Sequence, residues 1–132
     1  MKIYLTHCCA KKSPELRGSS EKVRPNILYT ARPTQRFMKK CIQTGKAWAI
    51  FSDLYGVWFP DVEHEWYEKD PNTVTEIEYA SLRNNFEIAL SCYEEIVFYY
   101  NPGRFHPLYR RLLKENSLTG RIDLISHLRD IQ

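Results

Sequence analysis

The chain has 132 residues, a formal net charge of +3 and a pI of about 8.7. Hydrophobic residues make up 43% and charged residues 27%, an ordinary globular mixture in a length that fits one domain, residues 1–132. No apolar stretch approaches the roughly 20 residues of a membrane span, and the four cysteines lack the spacing of a disulfide scaffold. We therefore expect a cytoplasmic domain with reduced thiols and no membrane partner.

Strands and helices alternate along the chain. A short strand over 2–7 precedes a polar loop over 8–24, and a helix over 33–45 leads to the apolar strand 47–51. A long aromatic and acidic connection precedes a helix over 75–94, a strand over 96–100, a basic helix over 106–115 and a strand over 121–126. Helical spacing assigns two sets of side chains to the core: Phe37, Met38, Cys41 and Ile42, and then Ile77, Leu82, Phe86, Ala89, Leu90 and Tyr93.

This alternation predicts an α/β fold with a four-stranded, mainly parallel sheet sandwiched by helices. Ligands of such sheets bind beyond the carboxyl ends of the strands. The candidate substrate-binding and catalytic residues therefore follow the strands: His7, Cys8, Lys11 and Lys12; Ser52, Asp53, Tyr55, Gly56, Trp58 and Pro60; Asn101, Arg104 and His106.

These residues suggest specific contacts. A planar base is expected against Tyr55 and Trp58, and an anion at Arg104 and the start of the third helix, after the turn Asn101-Pro102-Gly103. Asp53 fits a general base or a hydrogen-bond acceptor, and equally a turn residue that bonds its own backbone.

The sequence His7-Cys8-Cys9 fits either a nucleophilic thiol, activated by the nearby lysines, or one thiol packed under the sheet and one in the loop. A metal site is not expected, because no second cysteine pair exists. No nucleotide cofactor is expected either, since both the P-loop ending and the pattern GxGxxG are missing.

Two further surfaces have alternative interpretations. The segment FPDVEHEWY could be an exposed aromatic patch for a protein partner, and Tyr67, Lys69 and Asp70 could form a lid or plain surface. Tyr109, Arg110, Arg111 and Lys114 give the third helix a basic face that could follow a nucleic-acid backbone or meet only water.

Short motifs over about residues 2–100 resemble a known group of domains: HCCAKKS, ILYTARPTQRF, WAIFSDLYG, FPD and EWY. They are similar to a family of small microbial domains and, more distantly, to the glycosylase-like domain of the tRNA-modifying archaeosine synthase. Both resemble the α/β sandwich of uracil-DNA glycosylases. The resemblance implies site positions at Cys8, Lys11, Lys12, Ser52, Tyr55, Gly56 and Pro60.

The chain also departs from these relatives. It lacks the Gly-Gln-Asp-Pro-Tyr motif of classical uracil-DNA glycosylases, and Leu128 and Arg129 follow His127 where their histidine loop carries Pro-Ser. The Lys-Pro-Tyr pattern of archaeosine synthase reads Lys-Lys-Ser here.

Three classes of function follow from the sequence. The first is a domain that recognises a nucleobase or nucleotide, with tRNA or single-stranded DNA as the partner and base modification as the reaction if it is an enzyme. The second is a cysteine-dependent enzyme acting on a small metabolite. The third is a binding module without enzymatic activity.

Overall fold

The computed structural model of the protein describes residues 1–101 and 103–132, so Pro102 of the predicted Asn101-Pro102-Gly103 turn lies outside the described residues. The strands are β1 (Lys2–His7), β2 (Lys22–Val23), β3 (Trp48–Ser52), β4 (Gly56–Trp58), β5 (His64–Glu65), β6 (Glu95–Tyr99) and β7 (Ile122–Ile125). The α-helices are α1 (Pro25–Leu28), α2 (Arg32–Gln43), α3 (Glu76–Ala89) and α4 (Pro107–Glu115).

The main sheet has five strands in the order β4-β3-β1-β6-β7. Strands β3, β1, β6 and β7 are parallel, as the alternation predicted, whereas β4 runs antiparallel to β3 at the edge. The four-strand prediction was therefore one strand short. The connection after β3 reverses at Gly56, which has φ +76°, and returns at once as β4. Strands β2 and β5 form a separate antiparallel pair.

Helices cover both faces of this sheet. In the register of the parallel strands, Thr6 lies beside Tyr99 and His7 lies beside Phe51, so the two pairs point to opposite faces. Helix α2 packs on the first face, where Phe37 stacks on Tyr99. Helices α3 and α4 pack on the second face, where Phe51 contacts Phe86 and Tyr109 edge-on.

The connections after two neighbouring strands leave the sheet in opposite directions. The chain leaves β1 for α2 on one face, and it leaves β6 for α4 on the other face. A crevice opens where such connections diverge at the carboxyl edge of a parallel sheet. The fold therefore places a crevice between the segments that begin at Cys8 and at Tyr100.

The helix faces agree with the predicted core except at their borders. Phe37, Met38 and Cys41 are buried in α2, but Ile42 is 58% exposed because it lies one residue beyond that stripe. In α3 the buried residues are Tyr79, Leu82 and Phe86. Ile77 is 85% exposed, so its assignment to the core was wrong: it falls outside the stripe that Tyr79 begins. Ala89 and Tyr93 are half-buried.

The beginning of α3 has a reciprocal cap, in which Thr75 accepts from the N–H of Glu78 and Glu78 accepts from the N–H of Thr75. Among the described residues, no helix combines the length and the apolar character needed to cross a bilayer.

Candidate functional site

A cavity of about 260 Å³ lies at the carboxyl edge of the sheet, on the face covered by α4. We call it the strand-end cavity. Its lining comes from four separate stretches of the chain: His7, Cys8, Cys9, Ala10 and Lys12; Asp53; Lys69 and Pro71; Arg104, His106 and Tyr109. Three of these stretches follow the parallel strands β1, β3 and β6, which bring them to one edge. Six of the predicted site residues are in this lining: His7, Cys8, Lys12, Asp53, Arg104 and His106.

Three buried side chains form one hydrogen-bonded cluster in this cavity. The Cys8 thiol donates to Asp53 Oδ1 at 3.6 Å, and its sulfur lies 3.1 Å from the hydroxyl of Tyr109. The backbone N–H of Asp53 donates to the same sulfur at 3.4 Å. The cluster therefore joins the end of β1, the end of β3 and the first turn of α4.

Burial determines the protonation of this cluster. Burial and, second to it, the carboxylate of Asp53 raise the pKa of Cys8 to about 12, although the Tyr109 hydroxyl and the Asp53 N–H oppose the shift. Burial also raises the pKa of Asp53, against the hydrogen bond from Cys8 and the charge of Lys12. The thiol is thus protonated at neutral pH, and the carboxyl group holds its proton more strongly than an exposed aspartate.

His7 forms an aromatic wall of the cavity. Its Nδ1 lies 3.0 Å from the carbonyl oxygen of Cys8, so Nδ1 carries the proton and Nε2 is the acceptor in the neutral ring. The ring stacks on Tyr109 with centroids 5.2 Å apart. Burial lowers the pKa of His7, which keeps the ring neutral.

Three cationic side chains lie around the cavity. The ammonium of Lys12 lies 4.5 Å from the ring centroid of Tyr67, a cation–π contact that holds it near Asp53. Lys69 forms an ion pair with Glu78 at 3.1 Å, which compensates much of its charge. Arg104 is exposed, and its backbone N–H donates to the carbonyl of Asn101.

The side chains of Lys11 and Lys12 lie on opposite sides of their segment, although the sequence analysis placed both in the candidate site. This segment is extended and runs antiparallel to the segment at Tyr29, where the N–H of Thr30 donates to the carbonyl of Lys11. Side chains alternate along extended backbone, so Lys12 lines the cavity while Lys11 is exposed outside it. The predicted catalytic role of Lys11 therefore has no geometric support.

Ser52 is fully buried behind the cavity instead of lining it. Its hydroxyl donates to the Tyr67 hydroxyl at 3.0 Å and accepts from the N–H groups of Leu54 and Tyr55. Tyr67 in turn bonds the hydroxyl of Tyr29. The alternatives of lid or plain surface for Tyr67, Lys69 and Asp70 are therefore resolved residue by residue. Tyr67 is neither, because it is 5% exposed and ties the long connection to the core, whereas Lys69 lines the cavity and Asp70 is exposed.

The predicted base platform of Tyr55 and Trp58 is absent from the described cavity lining. Trp58 is fully buried and donates from Nε1 to the carbonyl of Val62. Tyr55 stacks on His64 with centroids 3.9 Å apart, so a residue of the same chain already covers the ring. Neither ring therefore lines this cavity: Trp58 belongs to the core, and Tyr55 packs against His64 at the sheet edge.

The three remaining predicted positions, Gly56, Pro60 and Asn101, also lie outside the lining of this cavity. Gly56 begins β4 with its Cα directed at the side chain of Asn85, which accepts from the N–H of Val57. Pro60 is half-buried in the turn after β4. Asn101 lies in the wall of a smaller neighbouring pocket, where its side chain accepts from the N–H of Gly103.

The structure also differs from the prediction at the two surfaces outside the crevice. In the FPDVEHEWY segment, β5 pairs with β2, and Phe59, Trp66 and Tyr67 pack inward, so no continuous aromatic patch is exposed among these residues. On α4, Tyr109 is buried and Arg111 pairs with Glu76 and Glu115, which leaves the predicted basic face partly neutralised.

His106 closes the predicted anion site at the start of α4. Its Nδ1 accepts from the N–H of Leu108 at 3.0 Å, and its Nε2 lies 2.7 Å from the side-chain oxygen of Asn72. The chain's own histidine therefore caps the helix end that was expected to hold an anion.

The sequence reasoning missed Tyr109 as a cavity residue. Tyr109, Leu112 and Leu113 have the i, i+3, i+4 spacing of a buried helix face, and this pattern separates Tyr109 from its basic neighbours. Within the described residues, no group of three or more His, Cys, Asp or Glu side chains is placed to hold a metal ion.

Comparison of the chain with family models, with curated proteins and with solved structures found no match. The fold is α/β with a mostly parallel, mixed five-stranded sheet. The closer resemblance to the sandwich of uracil-DNA glycosylases stays a prediction.

Proposed function

We propose that this domain binds a nucleobase or nucleotide in the strand-end cavity, as part of tRNA or single-stranded DNA. The observation that carries the proposal is the composition of the cavity: its lining combines the hydrogen-bonding side chains of His7, Cys8, Asp53 and Tyr109 with the cationic side chains of Lys12, Lys69 and Arg104. A base offers donors and acceptors on its edges, and the attached phosphates are anionic.

The hydrogen-bonding side chains support recognition of a base edge. Asp53 can accept two hydrogen bonds as a carboxylate or donate one when protonated, and Nε2 of His7 has no hydrogen-bond partner among the described residues. Both groups are fixed by bonds to Cys8, so they need little ordering when a ligand arrives. The neutral His7 ring adds an apolar edge to the same wall.

The size of the cavity supports a small ligand. Its volume of about 260 Å³ is slightly below the about 300–1,000 Å³ of typical ligand pockets, so one base is a better match than a dinucleotide. Because a base in a duplex must be flipped out at a cost of a few kcal/mol, a single-stranded or loop segment is the preferred substrate.

If the domain modifies the base, Asp53 is the general base and Lys12 its electrostatic partner. A general base works best with a pKa near the working pH, and burial shifts Asp53 in this direction. Lys12 contributes a positive charge close to the carboxylate, whereas Lys11 lies outside the cavity lining.

The rival thiol mechanism has less support. A nucleophilic cysteine needs a depressed pKa, and burial raises that of Cys8 to about 12. Cys9, which also lines the cavity, donates its S–H to the carbonyl of Lys11 at 3.3 Å.

Binding of fluorescently labelled tRNA and of single-stranded DNA at low and high salt tests the proposal. We expect binding at low salt, with log K falling against log salt with a slope of about −1.4, as for two phosphate contacts to a single strand. Lys12→Ala and Arg104→Ala should each weaken binding about five- to tenfold and flatten the slope, because each removes one such contact.

Lys2→Ala is the matched control. Lys2 is exposed at the start of β1, the opposite edge of the sheet, so this variant loses the same charge away from the cavity. Failure of both nucleic acids to bind at low salt, or an equal effect of all three substitutions, would argue against a nucleic-acid ligand.

A further inference from the structure

We propose that the beginning of α2 is a phosphate-binding subsite for the nucleotide whose base occupies the strand-end cavity. This inference rests on the proposed function for its ligand. It concerns a second, smaller pocket of about 30 Å³ on the other face of the sheet. We call it the helix pocket.

The helix pocket adjoins the strand-end cavity. The two share His7, Cys9 and Arg104, so a single ligand can extend from one into the other around the end of β1. Its remaining wall includes Ala31, Pro33 and Thr34 at the start of α2. Its volume suits a small group and not a whole ligand.

The start of α2 offers unpaired donors to this pocket. The first N–H groups of a helix have no partner within it, and Ala31 at the N-cap position has no side-chain oxygen to bond them. Pro33 has no N–H, which leaves the amides of Arg32 and Thr34. The 12 residues of α2 add a partial positive charge at this end.

An independent observation points to a ligand at the same place. Thr34 is 6% exposed and lines the helix pocket, yet its hydroxyl has no hydrogen-bond partner among the described residues. The Thr34 oxygen keeps some accessible surface in this pocket, because among the described residues only Oγ1 of the neighbouring Thr30 is fully buried without a partner. The hydroxyls of Thr6, Thr44 and Thr119, by contrast, are bonded to backbone carbonyls.

Arg104 completes the subsite. It lines the helix pocket opposite α2, and it is outside the ion pairs formed among the described residues. The guanidinium and the two helix amides can only donate hydrogen bonds, and the hydroxyl can donate one. This set of donors matches the acceptor oxygens of a phosphate. By contrast, the corresponding amide of α4 is already bonded to His106.

The test is a titration of the ¹⁵N-labelled protein with inorganic phosphate, followed by amide NMR. We expect the signals of Arg32 and Thr34 to shift, and Thr34→Val to weaken phosphate binding at least about tenfold, since it removes a hydrogen bond to a charged group. Arg104→Ala should weaken it similarly, whereas Thr34→Ser should retain binding because it keeps the hydroxyl.

Thr44→Val, at the other end of the same helix, is the matched control and should titrate like the wild type. The subsite would be overturned if phosphate changed other amide signals but not those of Arg32 and Thr34, or if the Thr34→Val variant titrated like the wild type. Titration with guanosine and adenosine, which lack phosphate, reports separately on the strand-end cavity. If phosphate binds and neither nucleoside shifts Cys8 or Asp53, the subsite stands while the proposed base recognition fails.

Discussion

Asp53 destabilises the native protein at neutral pH. Its carboxyl group is 4% exposed, and burial raises its pKa above the ordinary value, which the unfolded chain retains. The stability linked to this group is therefore fully present below about pH 4, the ordinary pKa of aspartate, and is lost as the pH rises through the folded pKa. Above that folded pKa the protein holds a carboxylate away from water.

We therefore expect Asp53→Asn to raise the Tm at pH 7 by about 2–5 °C, as a gain near 1 kcal/mol does in a domain of this size. Asparagine keeps an oxygen that can accept from the Cys8 thiol. At pH 3.5 the gain should vanish, since both states of the wild type are then largely protonated. Thermal unfolding at both pH values measures this, with the exposed Asp123→Asn as control. An equal change in Tm at both pH values would show that the carboxylate charge is not its origin.

The two cysteines with the most different surroundings should differ strongly in reactivity. Cys8 is buried with a pKa of about 12, whereas Cys92 is exposed after α3. At pH 7.5 we expect iodoacetamide to alkylate Cys8 more than about a hundredfold more slowly than Cys92, because the thiolate is the reacting form. Peptide mass spectrometry of timed samples gives both rates from one reaction. Alkylation of Cys8 at the rate of Cys92 would restore the thiol mechanism.

At the level of elements, the turn from β3 into β4 depends on Gly56. Its φ of +76° disfavours a side chain, and an added Cβ would meet the side chain of Asn85 at too short a distance. Asn85 cannot easily move, because it accepts from the N–H of Val57. Gly45, with φ +66° and no neighbour within 4 Å, has the same backbone constraint without the contact.

The two glycines therefore separate strain from crowding. Gly45→Ala should cost about 1–2 kcal/mol of unfolding free energy, the cost of a left-handed backbone. Gly56→Ala should cost about 1–3 kcal/mol more, through the contact with Asn85. Urea unfolding of both variants measures the difference. Equal losses would indicate that Asn85 moves aside without cost.

The sequence was informative wherever a long periodic or apolar pattern determined an element. The runs AWAIF and IVFYY lie within or next to β3 and β6, and the parallel order places their following loops at one edge. Strand β4 was missed because three residues, Gly-Val-Trp, show no recognisable period. Helix α1, with four residues, was missed for the same reason.

Side-chain direction near the site was harder to predict than the position of the site. The side chains of Lys11 and Lys12 point in opposite directions because their segment is extended and pairs with the segment at Tyr29. Lys12 and Tyr29 are 17 positions apart, so no local sequence pattern reveals this contact. Tyr55 and Trp58 were expected to stack on a ligand, but aromatic composition is the same in a core and on a stacking surface. Burial by β5 and its neighbours decides between the two.

For the whole molecule, the net charge of +3 gives little attraction to nucleic acid. Several cations are compensated by ion pairs, including Lys2, Lys69 and Arg111. The contribution of cations to binding therefore depends on their position, with Lys12 and Arg104 at the two cavities. We therefore expect the affinity for nucleic acid to fall only slowly with salt, and Lys12→Ala and Arg104→Ala each to weaken binding strongly.

The central position of β1 has a consequence for synthesis on the ribosome. The first strand to emerge lies between β3 and β6, and β6 begins only at Glu95. A nascent chain that ends before that residue can pair β1 with β3, and β3 with β4, but the other side of β1 keeps its N–H and C=O groups unpaired. At about 5–20 residues per second this open edge persists for several seconds. Ribosome-bound chains of about this length are therefore the form that most needs a chaperone.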